Sequence, residues 1–75
     1  MISNKYIKSL DFKTLEDIFL YIIDSEINGN YGQCKELLKK LSNEQFVTFS
    51  NWFNNNDLIN SCERDLNDFV AWRIE

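Results

Sequence analysis

Apolar residues recur along the chain at helical spacing, in segments that short polar stretches separate. The first segment includes six consecutive apolar residues, Ile-Phe-Leu-Tyr-Ile-Ile at 18–23, directly between Asp17 and Asp24. A helix on a protein surface shows one apolar stripe, whereas a helix with neighbours on two sides is apolar on both. We therefore expect the first long helix to lie at the centre of the fold. A β-strand at 18–23 is the weaker alternative, because no second strand is predicted to pair with it.

Two start signals precede this helix. Asp11 is suited to cap a helix that begins near Phe12, and Thr14 followed by Asp17 forms a second start. Gly29 suits the left-handed backbone position just after the helix end. One face of the helix contains Leu15, Ile18, Phe19, Ile22 and Glu26, and the other contains Leu20, Ile23 and Ile27. The sequence leaves open whether this second face is buried or docks a partner.

A second and a third helix follow at short intervals. The second begins at residue 30 or 31, with apolar residues on one side and charged residues, mostly lysines, on the other. Ser42 and Gln45 have the spacing of a capping box, and they predict a third helix from Asn43 to about Asn54. Because one side of the second helix is charged, we expect this helix to lie on the surface of the domain.

The fourth helix is predicted from Asp57 to about Arg73, with Asn56 as its cap. Its expected inner face consists of Leu58, Ile59, Cys62, Leu66, Phe69 and Val70. Residues 3–9 are a candidate for a short additional helix. The sequence therefore predicts an all-α fold, in which residues 1–75 form a single domain: a compact bundle of four helices, with a short fifth at the N terminus as an option.

Composition fits a small domain with a dense core. The chain is 44% hydrophobic and 15% aromatic, and aromatic side chains bury the largest area per residue. Residues 1–40 hold six basic and six acidic side chains, so the whole net charge of −4 lies in residues 41–75. This balance argues against a protein that binds phosphate backbones, and it permits a partner with a basic surface.

The chain offers little chemistry for catalysis or metal binding. It has no histidine and only two cysteines, which are too few soft ligands for a zinc site. We expect Cys34 and Cys62 to be reduced and packed as small hydrophobic residues, in a cytoplasmic protein without a signal peptide or membrane span. No cofactor or metal is predicted, and the absence of a general base predicts a protein that is not an enzyme.

The turn after the first long helix resembles part of a known repeat family. It reads Gly-Asn-Tyr-Gly-Gln-Cys at 29–34 and continues with Leu37, Leu38 and Leu41. These residues resemble the turn and second helix of a tetratricopeptide repeat. The resemblance covers roughly residues 15–41, one repeat at most, and the closing proline of that family is absent. It implies a helical hairpin, and no ligand-binding residue carries over.

Two tryptophans are the candidate anchors of an interaction surface. Ser61, Asp65, Asp68 and Trp72 fall on one flank of the predicted fourth helix, and Trp52 falls beside the apolar face of the third. Tryptophans next to acidic residues are typical of an interface anchor with a charged rim. The alternative is that both tryptophans complete the core of a small domain.

These features predict a small, acidic protein–protein interaction module. Its residue usage favours amino acids with A+T-rich codons, which is typical of phage or mobile-element accessory proteins that bind and inhibit or modulate a host enzyme or defence complex. One alternative is a homodimeric assembly module. The other is a small nucleic-acid regulator, for which Lys35, Lys39 and Lys40 supply a basic patch, while the predicted helix at 43–54 has no cation.

Overall fold

A computed structural model of the chain describes residues 1–56, 62 and 64–75, and helices account for 74% of these residues. The described residues contain five helices and no strand, so the predicted all-α bundle with a short N-terminal helix is confirmed. The helices are α1 (Asn4–Ser9), α2 (Leu15–Ile27), α3 (Tyr31–Lys40), α4 (Asn43–Asn55) and α5 (Leu66–Ile74).

A capping box fixes the start of α2. The Thr14 hydroxyl accepts a hydrogen bond from the Asp17 amide at 3.4 Å, and the Asp17 carboxylate accepts from the amides of Lys13 and Thr14 at 2.9 and 3.0 Å. These two backbone hydrogen bonds lower the pKa of Asp17 below its ordinary value. The second of the two predicted starts is therefore correct. Asp11 instead adopts a left-handed conformation with φ of 62°, in the turn between α1 and α2.

Gln45 has a double role at the start of α4. It completes the predicted capping box with Ser42, whose amide donates to Gln45 Oε1 at 3.0 Å. The Gln45 side-chain amide also binds the backbone of Ile2. Its Oε1 accepts a hydrogen bond from the Ile2 amide at 3.0 Å, and its Nε2 donates to the Ile2 carbonyl at 2.7 Å. Ile2 is only 3% exposed, so this clamp attaches the start of the chain to the bundle.

The turn between α2 and α3 closes a helical hairpin, as the resemblance to a tetratricopeptide repeat implies. Gly29 has a φ of +79°, a region that side chains with a Cβ rarely adopt. Its amide donates to the carbonyl of Glu26 at 3.0 Å, and the Asn30 amide donates to the carbonyl of Ser25 at 2.7 Å. These bonds satisfy carbonyls at the end of α2 and fix the reversal of the chain.

The core is built around α2, which packs against both α1 and α3. Phe19 of α2 also contacts Phe49 of α4, with ring centroids 5.3 Å apart, and Phe49 in turn contacts Phe69 of α5 at 5.7 Å. Among the described residues, the largest fully buried side chains are Ile18, Ile22, Cys34, Leu38, Leu41, Phe49 and Phe69. The first long helix is thus central, as predicted.

The second face of α2 is only partly covered. Ile23 is 3% exposed, whereas Leu20 and Ile27 are 43% and 47% exposed. The sequence left open whether this face is buried, and the bundle covers only the part of it that contains Ile23.

The last helix begins later than predicted. It starts at Leu66, whereas Cys62, Arg64 and Asp65 lie outside any helix, so the predicted helix from residue 57 is wrong over this segment. Asp65 and Asp68, which the sequence placed on an outer flank of a longer helix, instead form a capping box that starts α5. The Asp65 carboxylate accepts a hydrogen bond from the Asp68 amide at 3.0 Å, and the Asp68 carboxylate accepts one from the Asp65 amide at 3.1 Å. The predicted first turn, with Leu58 and Ile59, lies outside the described residues.

Candidate interaction surface

The outer side of α2 carries a stripe of alternating acidic and apolar residues, Glu16, Leu20, Asp24 and Ile27, which we call the α2 stripe. All four are exposed, and their spacing of three to four residues places them on one side of the helix. The helix contains no lysine or arginine. Its opposite side lies in the core, so the stripe is held in a fixed position by the packing of the bundle.

Trp52, one of the two predicted anchors, lies at the edge of the α2 stripe. Its Nε1 donates to Glu16 Oε1 at 3.3 Å, across from α4 to α2. Its ring is half-buried and packs on Phe19 and Phe49, with centroids at 5.5 and 5.9 Å. Trp52 therefore completes the core with its ring while its polar edge faces the stripe, a combination typical of tryptophans at interfaces.

Trp72, the other predicted anchor, lies on a different side of the domain among cations. Its half-buried ring contacts Tyr31 and Phe69, with centroids 5.7 and 6.0 Å away. The Lys35 ammonium and the Arg64 guanidinium lie over it at 5.4 and 5.1 Å. The acidic rim expected from the sequence is therefore replaced by a cationic one.

The acidic residues predicted beside Trp72 have another use in the fold. Asp65 and Asp68 accept hydrogen bonds from each other's backbone amides in the capping box of α5, so their carboxylates stabilise a helix start. Ser61 lies outside the described residues. Of the four predicted partner-binding residues that the structure describes, only Trp52 contacts a residue of the α2 stripe.

A buried carboxylate anchors the segment before α5. Glu26 is 4% exposed, and its Oε2 accepts from the Cys62 thiol at 3.1 Å. Its Oε1 lies 3.4 Å from Arg64 Nε, an ion-pair contact, and this buried nitrogen has no hydrogen-bond partner among the described residues. The guanidinium also lies over Tyr31 at 5.2 Å, and a hydrogen bond with that side chain raises the pKa of Arg64.

Sequence reasoning did not predict this ion pair, although a signal was present. Glu26 falls on the core face of the first long helix by spacing, and a buried carboxylate needs a cationic partner. Arg64 and Arg73, the two cations of residues 41–75, were therefore candidates together with the six lysines of residues 1–40.

Both cysteines are free and hold their protons tightly. Burial, followed by the charge of Glu26, raises the pKa of Cys34 to about 12, and burial and the hydrogen bond to Glu26 raise the pKa of Cys62 to about 11. A thiolate nucleophile needs a lowered pKa, so neither thiol is activated for attack. Within the described residues, no cluster of three metal-ligating side chains forms a site.

A shallow pocket lies between α1, α2 and α3. Its lining includes Tyr6, Tyr21, Gln33 and Lys40, and the Lys40 ammonium lies 5.3 Å from the Tyr6 ring centroid. The volume of about 210 Å³ is below the ~300 Å³ at which small-molecule and cofactor sites begin. The pocket is therefore a poor site for a cofactor, and the exposed surfaces are the better candidates for function.

Comparison with known proteins assigns no family to these surfaces: no family model, curated protein or solved structure matches the chain. In the described part of the chain, none of the helices has the length and apolar content that crossing a membrane requires.

Proposed function

We propose that this domain is a non-enzymatic protein–protein interaction module, and that it docks its partner on the α2 stripe. The observation that carries the proposal is the exposure of Leu20 and Ile27 on the central helix of the bundle, beside two exposed carboxylates. Exposed branched residues on a rigid helix supply hydrophobic contact area with little loss of conformational freedom on binding.

The charge of the stripe indicates the chemistry of the partner. Glu16 and Asp24 flank the apolar residues, and α2 has no cation to neutralise them. A complementary segment therefore presents apolar side chains interspersed with lysine or arginine, as an amphipathic helix with a basic rim does. Trp52 borders the stripe and adds an aromatic edge to the contact area.

The same charges disfavour the homodimer. Two copies that meet through the α2 stripe place carboxylates of one copy against those of the other, since each stripe contains two acids and no base. Like charges in an interface suppress the wrong partner. We therefore prefer a different protein as the partner over a second copy.

The proposed biological role rests on the residue usage, the size and the charge of the chain. Residue usage typical of A+T-rich genomes, a small acidic chain and the lack of catalytic groups fit a phage or mobile-element accessory protein. Such a protein acts in the cytoplasm by stoichiometric binding, and it inhibits or modulates a host enzyme or defence complex.

Affinity capture with matched variants tests the docking surface. Tagged wild-type protein, Leu20→Asp, Ile27→Asp and Val47→Asp are used as baits in lysate of the native host, and captured proteins are identified by mass spectrometry. Val47 is the control, because it is 59% exposed, helical spacing places it on a different side of α4 from Trp52, and its substitution adds the same charge.

We expect the two stripe variants to lose a protein that both wild type and Val47→Asp retain, while all four baits keep the same helical spectrum. The interaction is then measured by calorimetry with the purified partner. A partner that Leu20→Asp and Ile27→Asp bind as tightly as wild type would exclude the stripe. Concentration-dependent dimerisation that both stripe variants abolish would favour the homodimer instead.

A further inference from the structure

Basic residues that are far apart in the sequence lie close together around α3 in the structure. Lys35 and Lys39 belong to this helix, and both arginines of the acidic second half return to it. Arg64 lies over the ring of Tyr31, the first residue of α3, and Arg73 donates to the backbone carbonyl of Leu38. An acidic protein thus has a basic face, formed by α3 with one edge of α5.

A carboxylate of the chain itself already occupies this face. The Lys35 ammonium lies 3.1 Å from Glu75 Oε2, and the Lys39 ammonium donates to the Glu75 backbone carbonyl at 3.3 Å. The side chains of Lys35 and Glu75 are 35% and 55% exposed. Exposed ion pairs are weak, so a competing anion displaces Glu75 at little cost.

Aromatic rings hold the cations of this face in place. Lys35 and Arg64 lie over the Trp72 ring, and Arg64 lies over Tyr31 as well. The contact with Trp72 orients the Lys35 ammonium while leaving it able to bind an anion, whereas Arg64 is already paired with Glu26. Lys35, fixed in this manner, loses less side-chain freedom on binding than a free surface lysine does.

We propose that this basic face binds an acidic peptide segment of a partner, whose carboxylates take the place of Glu75. The inference does not depend on the α2 stripe, because it concerns another surface and a ligand of opposite charge. Its basis is that the ammonium groups of Lys35 and Lys39 both contact Glu75. These contacts lie next to the Trp72 ring, which Lys35 and Arg64 cover.

Carboxylates fit this face better than a nucleic acid does. Binding of single strands relies on aromatic rings that stack with bases, whereas the Trp72 and Tyr31 rings are engaged by the protein's own cations. The domain also carries a net charge of −4, and Glu36 lies on α3 between the lysines. A short acidic peptide meets less of this repulsion than a polyphosphate chain.

Fluorescence anisotropy with labelled hexaglutamate tests the proposal at low salt. Lys35→Ala with Lys39→Ala removes the two ammonium groups, and Lys5→Ala with Lys8→Ala is the matched control, since it removes the same charge from α1. We expect the first pair to weaken binding about tenfold or more and the control pair to change it less than about threefold.

Glu75→Gln supplies a test of opposite sign. Removing the occupant's charge should tighten hexaglutamate binding about twofold to fivefold, as expected from the loss of one exposed ion pair that competes for the lysines. The proposal would be overturned if the two double-lysine variants bound hexaglutamate equally tightly, or if Glu75→Gln did not tighten hexaglutamate binding. Tighter binding of a labelled single-stranded oligonucleotide would overturn it in favour of a nucleic-acid site. Leu20→Asp should leave hexaglutamate binding within about twofold, which separates this result from that of the α2 stripe.

Discussion

Removing Arg64 should destabilise the domain far more than removing its partner Glu26. The Glu26 side chain is 3% exposed, whereas that of Arg64 is 37% exposed. Arg64→Met therefore leaves a buried carboxylate whose hydrogen-bond donor, among the described residues, is the Cys62 thiol. Glu26→Met removes the buried charge, and the guanidinium that remains still has access to water.

The expected magnitudes follow from this asymmetry. Breaking a buried pair so that one charge is left uncompensated costs about 3–5 kcal/mol. We expect the low end, about 3 kcal/mol, for Arg64→Met, because the partly exposed guanidinium is screened by solvent. For Glu26→Met we expect about 1 kcal/mol or less, and a domain of this size has a total stability of roughly 4–11 kcal/mol. The double variant should therefore be more stable than Arg64→Met alone by about 2 kcal/mol.

Urea unfolding followed by far-ultraviolet circular dichroism measures all four members of this cycle. Arg73→Met is the matched control, because Arg73 donates to a backbone carbonyl and its loss leaves no buried charge. Equal losses for Arg64→Met and Glu26→Met, or additive losses in the double variant, would refute the assignment of Glu26 as a buried charge that depends on Arg64.

Three further outcomes are expected from the structure. Ile22→Asp should unfold the domain in circular dichroism, because Ile22 is 0% exposed, whereas Leu20→Asp should leave it folded. Asp65→Ala should lower the free energy of unfolding by about 1 kcal/mol in urea titrations, since it removes the cap of α5. Cys34 and Cys62 should resist iodoacetamide near pH 8 until urea is added, as mass spectrometry would show. Because the folded protein raises the pKa of both thiols, their contribution to the free energy of unfolding is complete below the ordinary thiol pKa of about 8.5. This contribution is lost as pH rises towards 11 and 12.

Local signals carried most of the fold that was predicted from the sequence. The starts of α2 and α4 depend on capping boxes, in which a hydroxyl and a side chain three residues later bind each other's backbone amides. Such a motif involves only neighbouring residues, so its spacing is visible without tertiary information.

The start of α5 shows where the same reasoning failed. Asp65 and Asp68 have capping-box spacing, yet this spacing also places two acids on one flank of a longer helix. The segment before them is held by the contacts of Arg64 and Cys62 with Glu26. These contacts join residues 36 and 38 positions apart, so no local pattern predicts them.

The candidate surfaces were even harder to predict. Leu20, Ile23 and Ile27 share a face by periodicity, but the bundle buries only Ile23. Trp52 and Trp72 were each expected either in the core or at an interface, and both are half-buried. Periodicity identifies the apolar residues of a helix, whereas the neighbours that cover them are known only from the packing.

The charge distribution changes the most between sequence and fold. By sequence, the first half is neutral and the second half is acidic, which permits a partner with a basic surface. In the structure, the acids of the α2 stripe belong to the neutral half, and the arginines of the acidic half lie around α3. The net charge of −4 is therefore a poor guide to any single surface, because binding responds to the charges within about a Debye length, roughly 8 Å at physiological salt. Binding at either surface should weaken with added salt, so salt dependence alone identifies neither. Only probes of opposite charge, combined with the Leu20 and Lys35 variants, assign a partner to the acidic stripe or to the basic face.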